Sequence, residues 1–122
     1  MILHLTSRNE WLAAQQTGEY RSPSLESEGF IHCSTEKQIV PVANSFYAGQ
    51  HGLVLLVIEP SRLKPELRWE PPAHPNLQAD LPPSDELFPH IYGPINIDAV
   101  TEVLGFEPNF DGKFSPPIMK NP

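Results

Sequence analysis

The chain has 122 residues, of which 39% are hydrophobic, and its formal charge is −7. That length suits one domain, and the acidic balance, with eight scattered lysines and arginines, disfavours the basic face that an extended nucleic-acid groove needs. One cysteine excludes an internal disulfide framework and a multi-cysteine zinc site. "MILHLTSRNEW" lacks a signal-peptide pattern and "LVLLVI" is too short to cross a bilayer, so a cytoplasmic location is expected.

"ILHL" alternates around His4 and reads as a strand. Ser7 with Glu10 forms a capping box for a short helix through Trp11 and Ala14, and Gly18 is placed to close it. "EYRSPS" reads as extended and "SLESEG" as a loop. "GFIHC" is a second strand, followed by another capping box, Thr35 with Gln38. This box opens a helix whose apolar residues are Ile39, Val42, Ala43, Phe46 and Tyr47, with Gly49 at its end. Pro41 conflicts with a straight helix from Thr35, so the helix bends there or its regular part starts near Val40.

The continuous apolar run Leu53–Ile58 predicts a central strand, and "LRWE" a further one. Thirteen of the fifteen prolines lie from Pro60 onward, so this half should hold loops and short edge strands. Among them is the proline-broken segment "PPAHPNLQADLPPSDELF". "HIYGPI" and "AVTEVLGFEP" supply two more strands, and residues 111–122 read as a loosely ordered tail after a single domain of residues 1–110. The expected class is α+β, with a mixed or antiparallel split sheet and short helices.

Three strand-like segments each carry a histidine. Alternation places His32 with Phe30 and Ser34, opposite Ile31 and Cys33, and places His90 with Tyr92, opposite Ile91. Strand pairing would bring His4, His32 and His90 to one cleft. There they would position a polar small molecule, with Ser34 or Thr35 helping, or each would be a core histidine bonded to backbone. The three imidazoles would also suffice for catalytic zinc, but no tight ligand spacing accompanies them and no metal site is assigned. Cys33 reads as a small core residue, because His32 faces away from it. Ser34 and Thr35 serve as helix caps, although a helix start also offers amides to phosphate. Tyr20 and Trp69 read as core aromatics, Tyr47 as packing on its helix, and Glu70 as an exposed edge-strand residue, with a catalytic carboxylate as its alternative.

"ILHLTSRNEW", "YRSPSLESEGFIHCSTEKQIVPVANSFYAG", "LVLLVIEPSRL", "LRWE" and "LFPHIYGPINIDAV" together resemble the domain-of-unknown-function family 952, from Ile2 to about Val103. The resemblance implies a fold similar to ADP-ribosyltransferases and a grouping near the RNA 2′-phosphotransferases. It implies NAD as cofactor, a small nucleotide as ligand, and a transferase acting on glycosyl or phosphoryl groups. In poly-ADP-ribose polymerases a first-strand histidine bonds the adenosine ribose, and His4, followed by Thr6, matches it. "GFIHCSTEKQIVPVANSFY" resembles the block that stacks nicotinamide, with His32 where the aromatic would stand and Ser34 and Thr35 beside it. The late-strand block "FPHIYG" lacks the glutamate that the polymerases carry there; His90 and Tyr92 occupy that neighbourhood. The resemblance thus implies His32, His90 and Tyr92 as catalytic residues, and His4, Thr6, His32, Ser34 and Thr35 as cofactor-binding. The missing carboxylate favours the alternative of a non-catalytic nucleotide- or metabolite-binding module.

Overall fold

In a computed structural model of the chain, residues 1–72 and 86–118 are described. The chain runs β1 (Ile2–Ser7), α1 (Arg8–Thr17), β2 (Glu19–Tyr20), α2 (Pro23–Glu28), β3 (Ile31–His32), α3 (Ile39–Phe46), β4 (Leu53–Ile58), β5 (Glu66–Glu70), β6 (Phe88–Tyr92), β7 (Ile95–Asn96) and β8 (Val100–Phe106). The proline-broken expectation falls largely on residues 73–85, outside the described residues.

The strands form three sheets, ordered β1-β4-β8, β3-β6-β5 and β2-β7. Every pairing among them is antiparallel. The two larger sheets meet at one bridge, where Leu3 and Ser34 exchange backbone hydrogen bonds of 2.7 and 2.8 Å. Beyond it the chain after β3 turns away into α3, and the sheet splits.

β4 is buried along its whole length, as its apolar run requires, because it lies between two strands and between two layers. On one face, α3 places Ile39 and Ala43 against Leu3, Leu5, Leu55 and Val57. On the other, Trp11 and Ala14 of α1 join Ile2, Val54, Leu56, Tyr20, Ile31 and Ile91.

The Ser7 cap forms, its Oγ accepting from the Glu10 amide at 3.1 Å, and Gly18 closes α1 at φ 92°. The Thr35–Gln38 box also forms, each side chain bonding the other residue's amide. It sits just ahead of the regular helix, which runs from Ile39 and accommodates Pro41 in its first turn. There the missing proline N–H has no intrahelical partner to lose.

Three expectations change. Trp69, read as a core aromatic, is exposed on edge strand β5. "SLESE" is not loop but part of α2: Ser22 is extended at the N-cap, Pro23 sits at N1, and Gly29 ends the helix at φ 90°. The tail expected to be loose from residue 111 is anchored at Phe114, which is buried, stacks on Phe106 at 4.7 Å and donates its amide to Asn44 Oδ1. An aromatic side chain supplies enough apolar burial to order a short terminal segment. Residues 119–122 of that tail lie outside the described residues.

Candidate functional site

The split leaves a cleft of about 540 Å³ beside β1, reaching α2, α3 and the face of β3 and β6. Pairing opposes His32 to His90 and Arg68 to His90, so one face of this sheet carries His32, His90, Tyr92, Arg68 and Glu70. Ile31, Cys33 and Ile91 point the other way, into the core. The ring centroids of His32 and His90 lie 5.6 Å apart, and Phe30 stacks on His90 at 4.2 Å. His4, His32 and His90 all line the cleft. Strand alternation therefore brings the three histidines together, and β pairing supplies the register.

Each has a distinct environment. His4 is buried and uses both ring nitrogens: Nδ1 lies 2.6 Å from the His32 carbonyl and Nε2 2.8 Å from the Tyr20 hydroxyl. Burial pushes its imidazole down from 6.5 to about 4, against the His32 carbonyl bond, which acts to raise it. His32 is half-buried and pairs through Nε2 with Glu28 at 3.0 Å. His90 is 3% exposed and bonds Glu70 Oε1 through Nδ1 at 2.9 Å. A carboxylate accepts only, so Nδ1 carries the hydrogen, and in the neutral ring Nε2 then holds the lone pair. Nε2 has no hydrogen-bond partner among the described residues, and no fully buried side-chain nitrogen or oxygen there is left unpaired; it therefore opens onto the cleft.

Glu70 also accepts from the Tyr92 hydroxyl. These bonds, from Tyr92 first and then His90, hold its carboxyl below the usual range and push the Tyr92 hydroxyl up. Edge strand β5 thus brings a glutamate against His90 and Tyr92, although the block "FPHIYG" contains none. The register that pairs Arg68 with His90 and Glu70 with Phe88 does this. Reading the strands separately offers Glu70 as a possible catalytic carboxylate but not its contact with His90 and Tyr92.

Thr6 is buried on the cleft side of β1; it accepts from the Tyr20 hydroxyl at 2.9 Å and donates to Glu10 Oε2 at 2.7 Å. Tyr20, read as a core aromatic, is buried, but its hydroxyl joins His4 to Thr6. Burial pushes that hydroxyl up, more than its bond to Thr6 draws it down. Ser34 is buried in the bridge and lines the cleft, whereas Thr35 uses its hydroxyl on the Gln38 amide. Burial likewise pushes the Cys33 thiol up, which suits an inert core residue. Tyr47 lines the cleft beside Val42 and Phe46 instead of only packing on α3. No group of three or more His, Cys, Asp or Glu among the described residues is arranged to hold a metal ion. No helix among them is long and apolar enough to cross a membrane.

The backbone contributes as well. Leu3 directs its N–H and C=O to Ser34, so by strand alternation Leu5, two residues on, directs its own pair to the same side. Ser34 is the last residue bridged there, so the Leu5 pair faces the cleft with no backbone partner among the described residues.

Comparisons place this architecture. The crystal structure of protein CC0527 from Caulobacter crescentus is 31% identical, covers 93% of this chain and 92% of its own, and superposes with a TM-score of 0.78. A double-mutant crystal structure of the same protein gives 30% identity, 93% and 92% coverage, and a TM-score of 0.78. Its solution NMR structure gives 30%, 92% and 89%, and 0.66. All three are structural genomics targets. No curated protein matches the chain. Residues 5–103 match the family described as "Protein of unknown function (DUF952)", and the chain belongs to that family.

Proposed function

We propose that the cleft binds NAD by its carboxamide end and that the protein is an ADP-ribosyltransferase-like transferase. The observation that carries this reading is the free N–H and C=O of Leu5 at the split. An unpaired donor and acceptor side by side on a strand edge are complementary to a primary carboxamide, which offers one acceptor and one donor with the same spacing. Val42, Phe46 and Tyr47 line the same cleft and give an apolar wall for a flat ring. Bound there, NAD supplies the glycosidic bond that a transferase cleaves. His90, oriented by Glu70, offers Nε2 as the acceptor of a proton from an incoming hydroxyl. Glu70 supplies, from the neighbouring strand, the negative charge that "FPHIYG" lacks.

The test needs no substitution. Calorimetry should show saturable binding of NAD, and binding at least tenfold weaker for deamido-NAD, whose carboxylate has no N–H to donate and meets the Leu5 carbonyl with like charge. Equal binding of the two, or no binding at millimolar NAD, overturns the reading.

One observation favours the alternative of a non-catalytic nucleotide- or metabolite-binding module. His4 has no ring nitrogen left for a ribose hydroxyl. NAD binding without nicotinamide release under any acceptor would select that alternative.

A further inference from the structure

A chain of four hydrogen bonds crosses from the floor of the cleft to its mouth. It runs from the His32 carbonyl to His4 Nδ1, from His4 Nε2 to the Tyr20 hydroxyl, from there to Thr6 Oγ1, and from Thr6 to Glu10 Oε2, with lengths of 2.6, 2.8, 2.9 and 2.7 Å. His4, Thr6 and Tyr20 are buried, while Glu10 is exposed and lines the cleft. Each contact is short enough to need a hydrogen. A neutral imidazole, a phenol, a threonine hydroxyl and an ionised carboxylate bring only three hydrogens to these four contacts. A carbonyl and a carboxylate close the two ends, and neither donates. With three hydrogens, one of the four contacts would be lone pair against lone pair.

We propose that His4, Tyr20, Thr6 and Glu10 hold one further proton and form a relay that makes Glu10 the acid–base group at the cleft mouth. The extra proton has two homes. In the outward polarity both His4 nitrogens carry hydrogen, Tyr20 donates to Thr6, and Thr6 donates to an ionised Glu10. In the inward polarity Glu10 donates to Thr6, Thr6 to Tyr20, and Tyr20 to a bare His4 Nε2. The two interconvert when the Nε2 hydrogen passes to Tyr20, the Tyr20 hydrogen to Thr6, and the Thr6 hydrogen to Oε2. Three bonds to hydrogen break and three form, with no change in total charge and no other reactant.

Burial, which pushes His4 down to about 4, favours the inward polarity at rest. The other titratable groups around the chain are His32 in β3, Cys33 just after it and Tyr47 after α3. Of these, His32 opposes a charged His4 and so acts in the same direction. Glu10 is then an acid when the proton is at its end and a base when the proton is on His4, and the exchange between them needs no solvent. Reactions that take a proton from a ligand hydroxyl, or give one to a leaving group, use such a carboxyl. The relay stands whether or not the ligand is NAD.

Counting charge tests it. Glu10→Gln replaces the carboxyl by an amide whose own N–H fills the fourth contact. Net charge near neutral pH, read by native capillary electrophoresis, should therefore be unchanged by Glu10→Gln. Thr6→Val cuts the relay, releases the proton and should make the protein more negative by about one charge. In that background Glu10→Gln should restore the charge. Thr6→Ser keeps a hydroxyl and should behave as the parent chain. Ring-nitrogen NMR on the same proteins reports which end of the relay holds the proton. A gain of one positive charge on Glu10→Gln in both backgrounds overturns the proposal. So does a folded Thr6→Val protein with the parent chain's charge.

Discussion

Tyr20→Phe isolates the energy held in the buried hydroxyl. The tyrosine is 1% exposed, so the substitution keeps the ring and its packing and removes one oxygen. Two hydrogen bonds disappear with it, to His4 Nε2 and to Thr6 Oγ1. Each is worth about 1 kcal/mol net, and an orphaned buried partner costs about 1–3 kcal/mol. Thr6 keeps Glu10 as a partner, so the orphan is Nε2, in a ring that is buried. The expected loss is about 2–4 kcal/mol, or roughly 10 °C in Tm for a domain of this size. Urea unfolding should show a lower midpoint with an unchanged m-value, because the surface exposed on unfolding is the same. Thr6→Val should cost less in the Tyr20→Phe background than alone, since the two act in one network. A loss below about 0.5 kcal/mol, the range of an ordinary surface substitution, would mean that the hydroxyl is not held as described.

In the Glu10→Gln protein His4 is the only ionisable end of the relay; burial pushes its imidazole down from 6.5 to about 4 in the parent chain, and removing Glu10, which acts to raise it, leaves that direction unchanged. Between those values the unfolded chain binds more protons there than the folded chain, so the stability from His4 is complete above pH 6.5 and is lost as pH falls towards 4. At about 1.4 kcal/mol per pH unit the loss is about 3 kcal/mol. It should appear in urea titrations as the excess over a His4→Gln, Glu10→Gln double variant; matching profiles would exclude a buried neutral imidazole. Phe114→Ala should destabilise by about 3 kcal/mol, towards the lower end for a buried phenylalanine because the neighbouring chain can close in. A thermal shift of a degree or less would show that the terminal segment does not pack.

The predicted strands, the start of regular helix close to Pro41 and the grouping of His90 with Tyr92 follow from local rules. Period two fixes which side chains share a face, caps and proline fix where helices start, and an unbroken apolar run can only lie between layers. Glycine at a left-handed position explains both the end of α1 and the end of α2, although the short polar "SLESE" hid the second helix by lacking an apolar stripe. Other features depend on register between segments far apart in sequence. Glu70 stands against His90 because β5 and β6 pair at that offset across the segment that separates them. The relay joins residues 4, 6, 10 and 20, and only the fold of α1 and β2 back onto β1 sets their distances. The free Leu5 amide exists because β1 and β3 share a single bridge before the chain turns. Propensity and periodicity are properties of a segment, whereas hydrogen-bond partners across a split sheet are a property of how segments meet.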